Sequence, residues 1–342
     1  MKDKLKQLRI ELTRSCNNNC RDCYNHQYNK WGEEISAGEI THLIDIACPL
    51  GLETISLTGG EPLLRPEKLR QVLEHAKLKG LKTGLLTNGI LATDQFVDEL
   101  KRLGLDWVRI SLDGSTREIN ALTRGDSYES TVQAVRMFVN SGIHTILRTT
   151  VHRRNFQDLR NMINLVLDLR VPKWESQPYI HLTDGNINEQ FDLPADKHIE
   201  LATELIRAKR KLRGRLDVSI LYGWFEFLSP EYAEDVASKP YASFLHFDAS
   251  HVNSLHIDAF GGIRTCGCNS VSLGNIRTDS IEKIFYDSQY MRDLREYDAS
   301  KYCPKCEQAK LCFPCPAPRT NVFGTVNSAN PNCPKVKKGE NK

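Results

Sequence analysis

The chain has 342 residues, with 46 Lys and Arg against 43 Asp and Glu and 40% hydrophobic residues. This size and apolar content suffice for one large core plus a smaller domain, and they exclude a disordered or fibrous protein. The formal charge of +3 is spread along the sequence, so we expect neither nucleic acid nor an anionic membrane as a partner. The sequence has no signal peptide and no apolar run near the ~20 residues of a membrane span, which predicts a cytoplasmic protein.

From residue 8 to about residue 180, short aliphatic or β-branched runs alternate with longer amphipathic stretches. The predicted strands are Leu8 to Leu12, Thr54 to Leu57, Lys82 to Leu86, Trp107 to Leu112, Thr145 to Val151 and Trp174 to Ile180. The predicted helices are Ala37 to Ala47, Pro66 to Leu78, Thr93 to Leu103, Tyr128 to Asn140 and Asn155 to Leu167. This order predicts an α/β protein with parallel strands, either a closed or partly closed (β/α) barrel or an open doubly wound sheet.

Beyond the alternating region, residues 193 to 213 form another helical stretch, and short strands are predicted around Ser254 to Ile257 and Gly262 to Thr265. The alternation stops between these elements. We therefore predict a barrel domain over residues 1–225, a bridging segment over 226–251 and a cysteine-rich domain over 252–342.

The eleven cysteines are unevenly distributed: three lie in residues 16 to 23, seven in residues 266 to 333, and Cys48 stands alone. In a reducing compartment, closely spaced cysteines are metal ligands more often than disulfide partners. Cys16, Cys20 and Cys23 supply three thiolates from one loop. Three ligands are too few for a closed zinc site, whereas a [4Fe–4S] cluster with three cysteines keeps one iron available for another ligand.

Four polar segments, three of which contain glycine, follow the carboxyl ends of predicted strands. They are Arg14 to Cys23, Thr58 to Pro62, Thr87 to Gly89 and Ser111 to Gly114. The loops at the carboxyl ends of barrel strands share one rim, where such folds build their active sites. We therefore expect these four segments to form one site.

The segments Cys16-x₃-Cys20-x₂-Cys23-Tyr24 and Thr58-Gly59-Gly60-Glu61-Pro62, in this order, resemble the radical S-adenosylmethionine (SAM) superfamily. The resemblance implies a partial (β/α)₆ TIM-like barrel in which the three cysteines hold a [4Fe–4S] cluster and the fourth iron chelates SAM. Glycines at 59 and 60 would let the backbone approach the ligand without a Cβ in the way. The cofactor-binding residues that the resemblance implies are Asp22, Tyr24, Gly59, Gly60, Glu61, Asn88, Ser111, Arg124 and Arg148. For Arg148, a surface or salt-bridged arginine is the alternative.

The carboxyl-terminal cysteines, with Leu273-Gly274-Asn275-Ile276 upstream, resemble the SPASM domain, an auxiliary iron–sulfur module. The resemblance implies one auxiliary [4Fe–4S] cluster on Cys303, Cys306, Cys312 and Cys333, and a second on Cys266, Cys268 and Cys315. The further cysteine that relatives carry after the Leu-Gly-Asn-Ile segment is missing here. An open iron, an unusual ligand such as Asp279, or no second cluster are the three possibilities. A zinc ribbon is the alternative for the whole tail.

The family's chemistry implies that a one-electron donor, such as flavodoxin or ferredoxin, reduces the first cluster. SAM is then split into methionine and a 5′-deoxyadenosyl radical, which removes a hydrogen atom from the substrate. Resemblance to sulfatase- and peptide-maturating members favours a peptide or protein substrate. The alternatives are dehydrogenation, epimerisation or decarboxylation of a sugar-like or aminoglycoside-like metabolite, and a non-enzymatic iron–sulfur or zinc scaffold. We assign no catalytic acid, base or hydrogen donor.

Overall fold

The computed structural model describes residues 3–21, 23–27, 32–179, 190–220, 252–307, 309, 312, 314–331 and 333. Its strands are β1 (Gln7–Glu11), β2 (Thr54–Thr58), β3 (Lys82–Thr87), β4 (Trp107–Ser111), β5 (His144–Val151), β6 (Lys173–Pro178), β7 (Asp217–Ile220), β8 (Ser254–Ile257), β9 (Gly262–Arg264) and β10 (Gly274–Asn275). Its α-helices are α1 (Ala37–Ala47), α2 (Pro66–Leu78), α3 (Asp94–Arg102), α4 (Arg117–Arg124), α5 (Tyr128–Ser141), α6 (Leu159–Asp168), α7 (Ala195–Lys211), α8 (Ile281–Asp287), α9 (Gln289–Arg295) and α10 (Pro316–Phe323).

All ten strands belong to one sheet, in the order β10-β9-β8-β1-β2-β3-β4-β5-β6-β7. Strands β1 to β7 are parallel to their neighbours, and β8 pairs with β1 in parallel too. Strands β9 and β10 continue the sheet in antiparallel fashion. The predicted α/β fold with parallel strands is confirmed, and the carboxyl-terminal segment extends that same sheet.

The six strands and five helices predicted before residue 180 are all present, with small shifts at their ends. Helix α4 was not predicted; it is short, and the residues that it buries are the polar Asn120 and Thr123, whereas Ile119 and Leu122 are only partly buried. Strand β7 also escaped prediction, being only four residues long. The predicted bridging segment, residues 226–251, lies outside the described residues.

The two faces of the sheet differ in chemistry because successive side chains of a strand point to opposite sides. One face is apolar and buried, and packs with the helices into the main core; it includes Leu8, Ile10, Leu57, Val108, Ile110, Leu147, Trp174 and Leu255. The opposite face, here called the polar face, carries Arg9, Glu11, Arg109, Ser111, Arg148, Glu175 and His256. Helices therefore cover one side of the sheet, and charged side chains line the other.

Register places the predicted site residues at similar heights along the strands. Ser111 at the end of β4 lies beside Arg148 of β5, and Arg148 lies beside Glu175 of β6. Because β1 to β4 run in parallel, the loops that follow them leave the sheet at the same edge. Among the described helices, none has the length and apolarity needed to cross a membrane.

Candidate active site

The loop with the first three cysteines packs against the glycine turn after β2. The Gly60 N–H donates to the Thr13 carbonyl at 2.7 Å, and the Glu61 N–H donates to the Ser15 carbonyl at 2.8 Å. A Cβ on Gly60 would lie 2.1 Å from the Ser15 oxygen, and one on Gly59, whose φ is +142°, would lie 2.4 Å from the Thr13 oxygen. The glycines are thus required by the close approach of two backbone segments, whereas the sequence suggested room for a ligand.

The carboxylate of Glu61 joins the loops after β2 and β3. It accepts hydrogen bonds from the Leu63 N–H at 3.0 Å, the Thr87 hydroxyl at 2.7 Å and the Asn88 N–H at 2.8 Å. The residue is fully buried, and burial raises the pKa of its carboxyl group. In this arrangement the hydrogen bonds of the Glu61 side chain fix the position of Asn88.

Asn88 reaches the cysteine loop, as expected for a residue of the same site. Its side-chain amide donates to Asn17 Oδ1 at 2.8 Å and lies 3.7 Å from Cys16 Sγ. The backbone N–H of Asn18 also approaches Cys16 Sγ, at 3.4 Å. Two N–H donors therefore face this exposed sulfur and favour its thiolate form, but burial of the thiol outweighs them and raises the pKa of Cys16.

Arg124 contacts the same loop from the end of α4. Its Nη1 lies 4.0 Å from Cys20 Sγ, and its carbonyl accepts from the Asn18 side chain at 3.1 Å. Its Nε forms an ion pair of 2.5 Å with Asp113 Oδ2, and the other oxygen, Asp113 Oδ1, accepts from the Thr150 N–H at 2.8 Å. Asp113 is fully buried and orients Arg124; sequence reasoning missed this role, although Asp113 lies within the quoted segment after β4.

Arg148 is engaged in an ion-pair network on the polar face. Its Nη2 lies 3.0 Å from Glu175 Oε2, and Arg109 Nε lies 2.7 Å from the same oxygen. Burial alone would raise the pKa of Glu175, but Arg148 and Arg109 lower it to about 2. Burial, together with the charge of Arg148, lowers the pKa of Arg109 to about 10. Arg148 thus has the contacts of the salt-bridged alternative, and it lies directly beside Ser111 in the sheet.

Glu11 connects the cysteine loop to the carboxyl-terminal segment. Its carboxylate accepts hydrogen bonds from the Tyr24 hydroxyl at 3.3 Å and the Ala259 N–H at 3.2 Å. It also lies 3.0 Å from His256 Nε2 and 3.3 Å from Arg14 Nη1. Burial opposes ionisation of Glu11, but His256 and Arg14 bring its pKa below the ordinary value. Burial and the charge of Glu11 raise the pKa of Tyr24. Sequence reasoning did not assign Glu11 or His256 to the site. The predicted cofactor-binding residue Asp22 lies outside the described residues.

The four distal cysteines come together as one set. Burial, together with the charges of Cys333, Cys303 and Cys306, raises the pKa of Cys312 to about 12. Thiols that raise one another's pKa need a positive partner to ionise, and iron supplies it, since metal binding releases the thiol protons. The chemistry of this donor set therefore fits a four-thiolate cluster.

A second set contains Cys266, Cys268 and Cys315, which pack against Ala317. A hydrogen bond from Cys268 lowers the pKa of Cys266 to about 6, assisted by the charge of Arg9, and the same pairing raises the pKa of Cys268. Within the described residues, no three His, Cys, Asp or Glu side chains are placed to hold one metal ion. The ligands of a [4Fe–4S] cluster bind different irons and are accordingly spread more widely than those of a single ion.

The proposed unusual ligand, Asp279, makes local contacts. Its Oδ2 accepts from the Asn275 N–H at 2.9 Å and the Thr278 hydroxyl at 2.8 Å. The first donor belongs to β10 and the second to the turn that follows β10, and this carboxylate stabilises that turn.

Comparisons with known proteins agree with this geometry. The family model described as "Radical SAM superfamily" matches residues 10–166, and the SPASM model, described as "Iron-sulfur cluster-binding domain", matches residues 250–308. An AdoMet-dependent heme synthase of Methanosarcina barkeri is 24% identical over 336 residues, covering 94% of each chain.

Two solved structures share the fold. Streptococcus suis SuiB bound to its precursor peptide SuiA has a TM-score of 0.77 and 15% identity, covering 98% of this chain and 76% of SuiB. The structure of anSMEcpe with AdoMet and a peptide has a TM-score of 0.74 and 18% identity, covering 96% and 93%. The two family matches, together with the cysteine loop and the grouped carboxyl-terminal cysteines, show that the chain belongs to the radical SAM superfamily and is an enzyme with a SPASM domain, whose cofactors are SAM and [4Fe–4S] clusters.

Proposed function

We propose that this enzyme cleaves SAM at the cluster of Cys16, Cys20 and Cys23 and removes a hydrogen atom from a substrate that lies over the polar face. The observation that carries the proposal is the convergence of Asn88 and Arg124 on the cysteine loop, at the edge where the polar face ends. The reduced cluster supplies the electron that splits the C–S bond of SAM. The protein binds and orients the reactants and keeps water away from them.

The chain's own residues have distinct parts in this proposal. Glu61 and Asp113 are positioning residues, since each is buried and holds Asn88 or Arg124 in place. Ser111, Arg124 and Asn88, with the backbone of Gly59 and Gly60, would contact SAM, together with Asp22 and Tyr24. Arg148 would act in the substrate region through its pair with Glu175.

For the auxiliary sites, we propose one cluster on the four distal cysteines (Cys303, Cys306, Cys312 and Cys333) and a second on the set of Cys266, Cys268 and Cys315. The other thiols of each set raise the pKa of one member, Cys268 in the set of three and Cys312 in the set of four, which supports this division. We further propose a domain division at residues 225 and 252 and a one-electron donor such as flavodoxin or ferredoxin as the physiological reductant.

A peptide or protein side chain is the first candidate substrate. SuiB and anSMEcpe, whose structures contain bound peptides, support this class through their shared fold. The second candidate is a small metabolite that carries carboxylates. It is favoured by three cations, Arg109, Arg148 and Lys173, around the carboxylate of Glu175, although Lys173 also pairs with Asp217. The relative named as a heme synthase favours it too.

The reaction is tested by anaerobic reconstitution with iron and sulfide, followed by dithionite and SAM. We expect release of 5′-deoxyadenosine, and its loss in the C16A/C20A/C23A variant. Absence of the product from wild-type protein with a full first cluster would exclude the radical mechanism.

Deuterium transfer distinguishes the two substrate classes. Extract from the source cells grown in deuterated medium is separated into a peptide and protein pool and a small-molecule pool, and each is incubated with enzyme and SAM. Deuterium in 5′-deoxyadenosine from the first pool supports a peptide substrate, and from the second pool a metabolite. Deuterium from neither pool contradicts both candidates.

A further inference from the structure

We propose that His256 is the fourth ligand of the auxiliary cluster on Cys266, Cys268 and Cys315, binding an iron through Nδ1. The inference rests on the second auxiliary cluster proposed above. It would fill the position for which the sequence has no cysteine.

The imidazole ring of His256 lies against the turn that carries two of the three cysteines. His256 is 3% exposed and pairs across β8 and β9 with Arg264. Its Cε1 lies 3.2 Å from the position of a Cβ on Gly267, the residue between Cys266 and Cys268. Cε1 is bonded to both ring nitrogens, so Nδ1 lies one bond away from the ring atom that borders this turn.

The other nitrogen has the partner that a metal-binding histidine commonly has. Nε2 lies 3.0 Å from Glu11 Oε1, and histidines that bind metals usually donate their second N–H to a carboxylate or carbonyl. An ionised carboxylate can only accept, which puts the ring proton on Nε2 and leaves the lone pair on Nδ1. Glu11 is itself fixed by Arg14 and the Ala259 N–H, so the orientation of the ring is determined on both sides.

Other donors near the cysteine set are engaged elsewhere. The Tyr24 hydroxyl, on the other ring that borders Gly267, donates to Glu11. The Tyr290 hydroxyl lies 2.8 Å from the Thr320 hydroxyl, and Asp279 accepts from its own turn. Among the donors considered in the described part of this region, His256 therefore combines a ligating atom with a supporting partner.

Replacing a thiolate by a neutral imidazole removes one negative charge from the cluster. In iron–sulfur proteins this substitution raises the reduction potential. The positive charge of Arg9, which acts on both Cys266 and Cys268, favours the reduced cluster further. The auxiliary cluster near the radical site would thus be a better electron acceptor than an all-cysteine cluster.

The test uses the full chain carrying C16A/C20A/C23A, which removes the first cluster and makes the readout independent of SAM cleavage. After reconstitution and reduction, pulsed EPR measures nitrogen hyperfine coupling in samples with natural and ¹⁵N-labelled histidine. We expect a coupling typical of a directly bonded nitrogen that changes with the label, and eight irons per chain by ~4 per cluster.

Added to that background, H256A should abolish the nitrogen coupling, whereas H144A, at an exposed position, should leave it intact. H256C should restore a cluster without nitrogen coupling and with a lower potential. The proposal is overturned by a fully loaded auxiliary site without label-dependent coupling, by coupling that survives in H256A, or by an iron content near four. Because the labelled protein with His256 intact decides the matter, a variant that fails to fold does not affect the conclusion.

Discussion

The ion-pair network on the polar face makes a quantitative prediction for Glu175→Gln. The substitution keeps the size of the side chain but leaves Arg148 and Arg109 without their shared anion. The Glu175 side chain is only 4% exposed, so water cannot replace the lost charge. We expect a large destabilisation from a change that leaves the sheet and its apolar core untouched.

The magnitude follows from the pKa. Arg148 and Arg109 lower the pKa of Glu175 from an ordinary value of 4.5 to about 2. Each pH unit corresponds to about 1.4 kcal/mol, which gives roughly 3 kcal/mol of stabilisation at neutral pH. Removing one partner of a buried ion pair costs a similar amount, about 3–5 kcal/mol. Because the folded-state pKa is lowered, this stabilisation is complete above pH 4.5 and is lost as the pH falls toward 2.

The assay is anaerobic urea unfolding of the reconstituted enzyme, followed by circular dichroism at pH 7 and at pH 3.5. E175Q should lower the free energy of unfolding by about 3 kcal/mol at pH 7 and by less at pH 3.5. Asp126→Asn is the matched control, because its pair with Arg117 is exposed on both sides and should contribute less than about 1 kcal/mol. An E175Q value within the error of D126N at pH 7 would refute the argument.

Three further predictions concern the site itself. Gly60→Ala should force the cysteine loop away from the turn at a cost of about 1–3 kcal/mol and so weaken binding of the first cluster. Iron and sulfide analysis should then show a loss of up to four irons, by ~4 per cluster. The control Gly38→Ala, whose Cβ would have 3.8 Å of clearance, should keep its full iron content. Asp113→Asn should weaken SAM binding about tenfold, or ~1.4 kcal/mol, because Arg124 loses its buried partner. Calorimetry measures the affinity for SAM, and an unchanged affinity would contradict the proposed contact between Arg124 and SAM. Cys333→Ser should remove about four irons without affecting release of 5′-deoxyadenosine, whereas Cys48→Ser should leave the iron content unchanged.

The local patterns in the sequence predicted most of the fold. Strands and helices before residue 180 follow apolar periodicity, which depends on neighbours a few positions away. Local periodicity did not reveal helix α4, because its buried residues are Asn120 and Thr123 and the residues that they contact lie in other segments. The reason for Gly59 and Gly60 also required the structure, since the backbone that they approach belongs to the loop after β1.

The sequence by itself predicted the succession of strands and helices along the chain and the shared edge of the four loops that follow the strands. Its cysteine spacings led to the proposed cluster sites. Tertiary structure alone decided which charges meet: Arg148 with Glu175, Arg124 with Asp113, and Glu11 with His256, a pair separated by 245 positions. Periodicity and short motifs encode contacts between near neighbours in the chain. A buried ion pair between distant strands depends on sheet register, which becomes defined only when the whole sheet assembles.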